Sequence, residues 1–314
     1  MTHSLSTTTR GQRPRVALVT CSTLPDLDAD DRLALAAMAG RGIDAEPAVW
    51  DDPGVCWSGF DLAILRSTWD YPPRRDEFLA WARGVPRLAN PAELVARNTD
   101  KHYLLRLAAT GAPVVATRWL APDESWRAPR SGEWVIKPAV GAGSVDAGRY
   151  DATRPSQRAQ AQAHTRRLQA AGRAVLVQPY MPAVDRDGET ALIFLGGRYS
   201  HAVRKGAMLD GPYAGVDGLF KPEQIEPVEP TPAQRDAADT VLRALTGWVR
   251  MDLADLLYAR VDLVDDEAGR PLLLELELTE PSLYLGFALG AAGRFADAVA
   301  VRLERVGGGA DRRR

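Results

Sequence analysis

The chain has 314 residues, 46% hydrophobic and 25% charged, enough for two or three structural units around a substantial core. A net charge of -2 gives no global basis for binding nucleic acid or an anionic membrane, so any recognition must be argued locally. Cys21 and Cys56 are too few for a disulfide framework or a cysteine zinc site, and no apolar run nears the ~20 residues of a membrane span, so a soluble cytoplasmic protein is expected.

Residues 1–14 and 307–314 ("GGGADRRR") read as disordered tails. "RVALVTCS" (15–22) is a buried parallel strand by pattern, and "DADDRLALAAMAGRG" a capped helix with Gly42 past its end. "IDAEPAVW" and "FDLAILRSTWDY" are the next strand candidates and "RDEFLAWARGV" a helix, which together describe a small doubly wound domain to about residue 95. Ligands gather at the carboxyl ends of strands in such sheets, where "RSTWDY" places Arg66, Ser67, Thr68, Trp69 and Asp70. Those residues read equally well as a helix start capped by Ser67, Thr68 or Asp70, with Trp69 in the core.

"NPAELVARNTDKHYLLRLAATG" (90–111) holds two helices, the second capped by Asn98 or Thr99. "EWVIKPAVGAGSVDAGRY" (133–150) is strand, glycine-rich turn, strand, followed by a polar helix that needs a surface to lie on. "AVLVQPYM" is a strand, and "ETALIFLGGRYSHAVRK" a hairpin turning at Gly196-Gly197. A further helix, "AQRDAADTVLRALTGW", precedes one long hairpin, "ADLLYARVDLVDDEAGRPLLLELEL".

That last hairpin raises a charge problem. In "LLLELELTEP" the leucines take one face and Glu275 and Glu277 the other, roughly 7 Å apart at ~3.3 Å per residue, with Glu280 just beyond. Alternation in "ARVDLV" puts Arg260 and Asp262 on one face, and the hairpin brings Asp262 beside the two glutamates. Carboxylates this close repel, so they take up a proton or need a cation. Without His or Cys among them they suit Mg²⁺ or Mn²⁺, with water and phosphate oxygens completing the shell. The bland alternative is a set of solvated acids, one of them neutralised by Arg260. Mutual repulsion predicts that neutralising Glu275 or Glu277 leaves the metal-free protein as stable as before, or more so.

"VIKPAVGAGS" offers phosphate oxygens a Lys137 ammonium and the backbone N–H groups around Gly141, Gly143 and Ser144, or is simply a hairpin turn. The lysine precedes the glycines, so this is no Walker A loop. In "LVQPYMP" the backbone near Gln178 and Tyr180 can meet an adenine edge, or is a strand end with a proline bend.

Taken in order, "RNTDK", "WVIKPAVGAGS", "LVQPYMP" followed by "DGET", "ARVDL" and "LLLELELTEPS" resemble the ATP-grasp superfamily over about residues 15 to 305. The similar branch holds bacterial glutathione synthetase and the O-ureido-serine cyclo-ligase of cycloserine biosynthesis. The resemblance implies an α/β fold with three units: an N-terminal doubly wound domain (15–95), a central lid (96–175) and a C-terminal antiparallel-sheet domain (176–306), with ATP between the last two. It further implies that Lys101 and Lys137 hold the nucleotide phosphates and that Gly141, Gly143 and Ser144 close over the γ-phosphate. Gln178 and Tyr180 would hold adenine, and Glu189 the ribose. Asp262 and Glu275 would bind two Mg²⁺ ions, and Glu277 stands where the wider family usually has Asn.

Glu189 is followed by Thr190 and Ala191 instead of the arginine of glutathione synthetases. "SHAVRK", "RSTWDY" and "LELELTEPS" are closer to the cyclo-ligase branch, although its arginine-containing substrate loop is not recognisable in "KGAMLDGPYAGVDGLFKPEQI" (205–225). Arg204, Lys205 and Arg260 are the cations left to face the reacting phosphoryl, while 66–70 and Ser282 are expected at the substrate. The implied reaction is ADP-forming ligation of a small, amino-acid-like carboxylate through an acyl phosphate, with cyclisation if the nucleophile sits on the same molecule. A peptide-tail ligase, a small-molecule kinase and a nucleotide sensor are the alternatives. No nucleic-acid or membrane partner is expected, and homo-oligomerisation is compatible with the sequence.

Overall fold

A computed structural model describes residues 13–213, 219 and 223–311, for 307–311 the backbone alone. The chain opens with four parallel strands, β1 (Arg15–Thr20), β2 (Asp44–Val49), β3 (Leu62–Ser67) and β4 (Leu88–Ala89), in spatial order β2-β1-β3-β4. Val16 to Val19 are fully buried, as an unbroken apolar run requires of a central parallel strand. Asp28 starts helix α1 (Ala29–Ala39) by accepting from the Asp30 N–H at 2.9 Å. Helix α2 (Arg75–Gly84) leads to β4.

Helices α3 (Ala92–Asn98) and α4 (Tyr103–Ala109) lead into a second, antiparallel sheet of β5 (Arg118–Leu120), β6 (Glu133–Pro138), β7 (Gly148–Asp151) and β8 (Val175–Pro179), ordered β5-β8-β6-β7. The polar helix α5 (Pro155–Ala170) finds its surface here, burying Ala161, His164, Thr165 and Leu168. After the short helix α6 (Ala183–Asp187) come β9 (Glu189–Leu195), β10 (Arg198–Lys205), β11 (Ile225–Val228), β12 (Tyr258–Asp265) and β13 (Pro271–Glu277). These form an antiparallel sheet ordered β11-β10-β9-β12-β13. Gly196 and Gly197 turn β9 into β10 with φ of +55° and +75°, and a Cβ on Gly197 would lie 2.5 Å from the Leu253 carbonyl.

Helix α7 (Pro232–Val249) joins the core of Leu192 and Phe194 on one face of this sheet, while α8 (Ala291–Asp311) joins that of Ile193 and Leu195 on the other. Helix α8 takes in 307–311, which sequence reading assigns to a tail; residues 1–12 and 312–314 lie outside the described residues. β4, β5 and α6 are two to five residues long, too short for periodicity to show. Among the described residues no helix is long and apolar enough to cross a membrane.

The three sheets are pinned together along β13. The Asn90 amide donates to the carbonyls of Tyr258 (3.0 Å) and Leu278 (2.8 Å) and accepts from the Leu257 N–H (2.9 Å). Asn98, expected as a helix cap, instead bonds the Leu276 carbonyl and the Leu278 N–H, both at 2.8 Å. Val115 extends the pairing to Leu273. The free edge of β13 is thereby held on the segment that carries Lys101.

Candidate active site

On β12 and β13 Asp262 stands directly opposite Glu275 and Arg260 opposite Glu277, with a bulge after Asp262. All four line one cavity of about 340 Å³ between the sheets. The charge problem is met by protein cations, some of them shared between acids. Arg260 donates to Asp262 through Nε (2.9 Å) and Nη2 (3.0 Å), and also to Glu277. Lys205 Nζ lies 2.7 Å from Asp262 and 3.0 Å from Glu189. Lys101 Nζ lies 2.7 Å from Glu275, and Lys137 Nζ 3.6 Å from its other oxygen.

The electrostatic outcome differs group by group. Burial would raise Glu275, but Lys101 and Lys137 hold it down to about 2. Asp262 is likewise kept low by Arg260 and Lys205 against its burial. Among the described residues Glu277 is ion-paired with Arg260 alone, which it shares with Asp262, and it faces Asp262 and Glu275, so burial prevails and its carboxyl rises to about 7. Lys205 is raised well above the usual ammonium range because Asp262 and Glu189 outweigh burial, whereas burial lowers Lys137.

The glycine-rich turn joins β6 to β7 at the cavity wall, with Gly141, Gly143 and Ser144 all exposed to it. Lys101 Nζ also donates to the Gly141 carbonyl at 2.9 Å, so one ammonium ties the turn to the carboxylates. Gln178 and Tyr180 also line the cavity, beside Met181. Gln178 donates to Thr117 Oγ1 (2.8 Å), and the Tyr180 hydroxyl to Asp185 (2.6 Å). The Tyr180 N–H is already held by the Glu133 carbonyl at 2.8 Å, so it cannot serve an adenine edge as the sequence reading allows.

Several expected contacts move. Arg204 and Lys205 are adjacent on β10 and point to opposite faces. Lys205 faces the cavity, while Arg204 turns out to Glu226 (3.3 Å). In "RSTWDY" only Trp69 and Tyr71 reach the cavity wall, joined by Ser282 from the other domain. Arg66 is 1% exposed, ion-paired with Asp31 at 2.7 Å and bonded to the Pro281 carbonyl at 2.7 Å. Ser67 donates to Asp31, Thr68 is buried, and Asp70 accepts from Trp50 Nε1 and Arg74. Through Arg66 and Trp69 the motif instead ties the first sheet to the 280–281 segment, while Ser67 and Asp70 are engaged within its own part of the chain. Tyr284, whose hydroxyl donates to Glu223 at 2.6 Å, and Phe287 close the far end; sequence reading passed over both, as isolated aromatics carry no periodic signal. Residues 214–218 and 220–222 of the expected substrate loop lie outside the described residues.

The donor set fits a hard divalent ion in kind. Its ligands are oxygens only, and the raised Glu277 marks negative charge that the protein's cations leave uncompensated. Among the described residues no three acids cage an ion as they stand, because each is turned to a lysine or arginine.

Residues 16–90 match the family described as "D-cycloserine synthetase DcsG, N-terminal domain". The cycloserine biosynthesis protein DcsG of Streptomyces lavendulae is 40% identical over 306 residues, spanning 92% of this chain and 99% of that protein. The chain belongs to the DcsG family. The crystal structure of D-cycloserine synthetase DcsG superposes with a TM-score of 0.83 at 40% identity, over 92% of this chain and 99% of that one. The ATP-grasp ligase PsnB, solved with a precursor variant, Mg and ADP, shares the fold at 17% identity and a TM-score of 0.59, over 93% and 99% of the chains. The expected ATP-grasp fold is met.

Proposed function

We propose that the cavity is the active site of an ADP-forming cyclo-ligase that closes a small amino-acid-derived ring of the cycloserine type. The carrying observation is that Lys101 and Lys137, from two different segments, converge on Glu275 in the cavity where Asp262 stands across the strand pair. Mg-ATP would let both lysines exchange a carboxylate for phosphate oxygens and leave Asp262, Glu275 and Glu277 to hold two Mg²⁺ ions. The bound metal supplies charge neutralisation on the transferring phosphoryl.

The chain's own residues do the rest. Gly141, Gly143 and Ser144 present N–H groups to the γ-phosphate, the Gln178–Met181 wall takes adenine, and Glu189 takes the ribose. Lys205 and Arg260 face the oxygen that develops charge as the substrate carboxylate attacks. Trp69, Ser282, Tyr284 and Phe287 bound the substrate end. A peptide-tail ligase would need a groove beside "RSTWDY", and Arg66, Ser67, Thr68 and Tyr71 are buried there.

The test is to incubate the enzyme with O-ureidoserine and Mg-ATP, measuring ADP and the product mass. ADP with a cyclised product is expected; a stable phosphorylated product would mean a kinase, and no ADP would remove this substrate class. Lys137→Met should weaken nucleotide binding roughly tenfold to a hundredfold, the ~1.5–3 kcal/mol of a charge-assisted contact. Its 3.6 Å approach to Glu275 and lowered ammonium predict an unfolding midpoint close to wild type. Unchanged nucleotide affinity by calorimetry would remove Lys137 from the phosphates.

A further inference from the structure

Glu280 is a carboxylate in this cavity to which no role has been given, and its surroundings differ from those of its neighbours. Asp262, Glu275 and Glu277 each have a lysine or arginine partner. Among the described residues Glu280 has none; its partner is the hydroxyl of Tyr71, itself 2% exposed. The backbone on both sides of the carboxylate is anchored. Trp69 Nε1 donates to the Glu280 carbonyl at 2.9 Å, and Arg66 Nη2 to the Pro281 carbonyl at 2.7 Å. Arg66 and Trp69 thus fix the backbone at 280–281 while Tyr71 meets the Glu280 side chain, which gives part of "RSTWDY" a place that ATP binding does not use.

We propose that Glu280 is the proton acceptor of the ring-closing step, with Arg66, Trp69 and Tyr71 as its positioning residues. This rests on the ligase reading above. In that step the lone pair of the substrate nitrogen forms the C–N bond to the acyl-phosphate carbonyl carbon. The carbon–oxygen bond to phosphate breaks, phosphate leaves with that electron pair, and the nitrogen's proton passes to a Glu280 carboxylate oxygen. A carboxylate bound to a lysine or a metal is a poor base. Among the described residues Glu280 and Glu223 are the cavity acids with a neutral hydroxyl and no lysine or arginine partner, and of the two Glu280 lies on the segment that continues β13 past Glu275 and Glu277.

The groups facing it are Glu275 and Glu277 from β13, Lys101 from the α3–α4 connection, Tyr71 from the N-terminal domain and Tyr258 from β12. Burial and the Glu277 charge, against Lys101 and the Tyr71 hydroxyl, raise Glu280 to about 8, within the range of a working base.

Glu280→Gln is tested with O-ureidoserine and Mg-ATP by rapid quench. First-turnover ADP formation should stay within a few-fold of wild type while cyclised product falls ~10²–10⁴-fold. Wild-type turnover should rise with pH along a basic limb, and this limb should vanish in Glu280→Gln. Tyr71→Phe removes the hydroxyl that favours the ionised form, so its limb should move to higher pH, which a merely structural role would not produce. Glu280→Asp should keep the limb at a lower plateau, and with Tyr71→Phe it carries the test if Glu280→Gln does not fold. Equal loss of ADP and product, or a limb that survives in Glu280→Gln, would overturn the proposal. A wild-type enzyme that makes no ADP from this compound would overturn the ligase reading instead, and this step with it.

Discussion

Glu275→Gln is expected to lower the unfolding free energy by ~2–3 kcal/mol without nucleotide or metal, and to reduce turnover by orders of magnitude. The sign is opposite to what repulsion between Glu275 and Glu277 suggests. Glu275 is the counter-charge of two lysines, Lys101 at 2.7 Å and Lys137 at 3.6 Å, whose side chains are only 11% and 14% exposed. Removing one member of a buried pair leaves the other uncompensated, at ~3–5 kcal/mol when burial is complete. Glu275 is 22% exposed, which places the cost below that range. Because its carboxyl is held down to about 2, its contribution is present above the unfolded value of ~4.3 and lost as pH falls towards 2. The gap between wild type and variant should therefore close in acid. ADP should narrow it at neutral pH, since phosphate oxygens supply the missing counter-charge. A variant as stable as wild type at pH 7 in urea titrations would show that the lysines do not depend on Glu275.

Which parts of this site could be read in advance follows from the range of the interactions. Period-2 alternation is local, so the shared face of Arg260, Asp262, Glu275 and Glu277 was legible from two short strands. The glycine turn and Lys137 were legible for the same reason. Alternation also requires Arg204 and Lys205 to face opposite ways, but which one faces inward depends on packing around the sheet. Lys205 meets Asp262 across 57 residues of chain. Asn98 had the composition of a cap; its partner carbonyl lies 178 residues further on, where no local rule reaches. "RSTWDY" is the sharpest case. A cation, hydroxyls and an indole at a strand end suit a ligand and a domain joint alike, and only the Arg66 contact, 215 residues away, decides for the joint. The fold class was legible because each sheet announces itself by pattern, whereas the assembly of the three sheets on β13 depends on single side chains such as Asn90.

Asp262→Asn should have the second large effect, and through a different arrangement. Asp262 is 1% exposed and receives three charge-assisted bonds, two from Arg260 and one from Lys205. Asparagine keeps one acceptor oxygen but turns an NH₂ group toward these donors and removes the charge. Arg260 retains Glu277 and the Ser282 carbonyl, and Lys205 retains Glu189. These remaining partners put the expected loss near the lower end of the ~3–5 kcal/mol for an uncompensated buried charge. Burial would raise the Asp262 carboxyl and the two cations keep it low, so its stabilisation is complete above ~4 and fades as pH falls below that. The difference between wild type and variant should shrink over the same interval. Lys205→Met should also destabilise, because Asp262 and Glu189 then share too little positive charge. Since the two side chains act on each other, the double variant should lose less than the sum of the singles. Urea denaturation of the four proteins at pH 7 and pH 4, with unchanged m values, measures that coupling. Strict additivity would mean that Lys205 and Asp262 do not support each other.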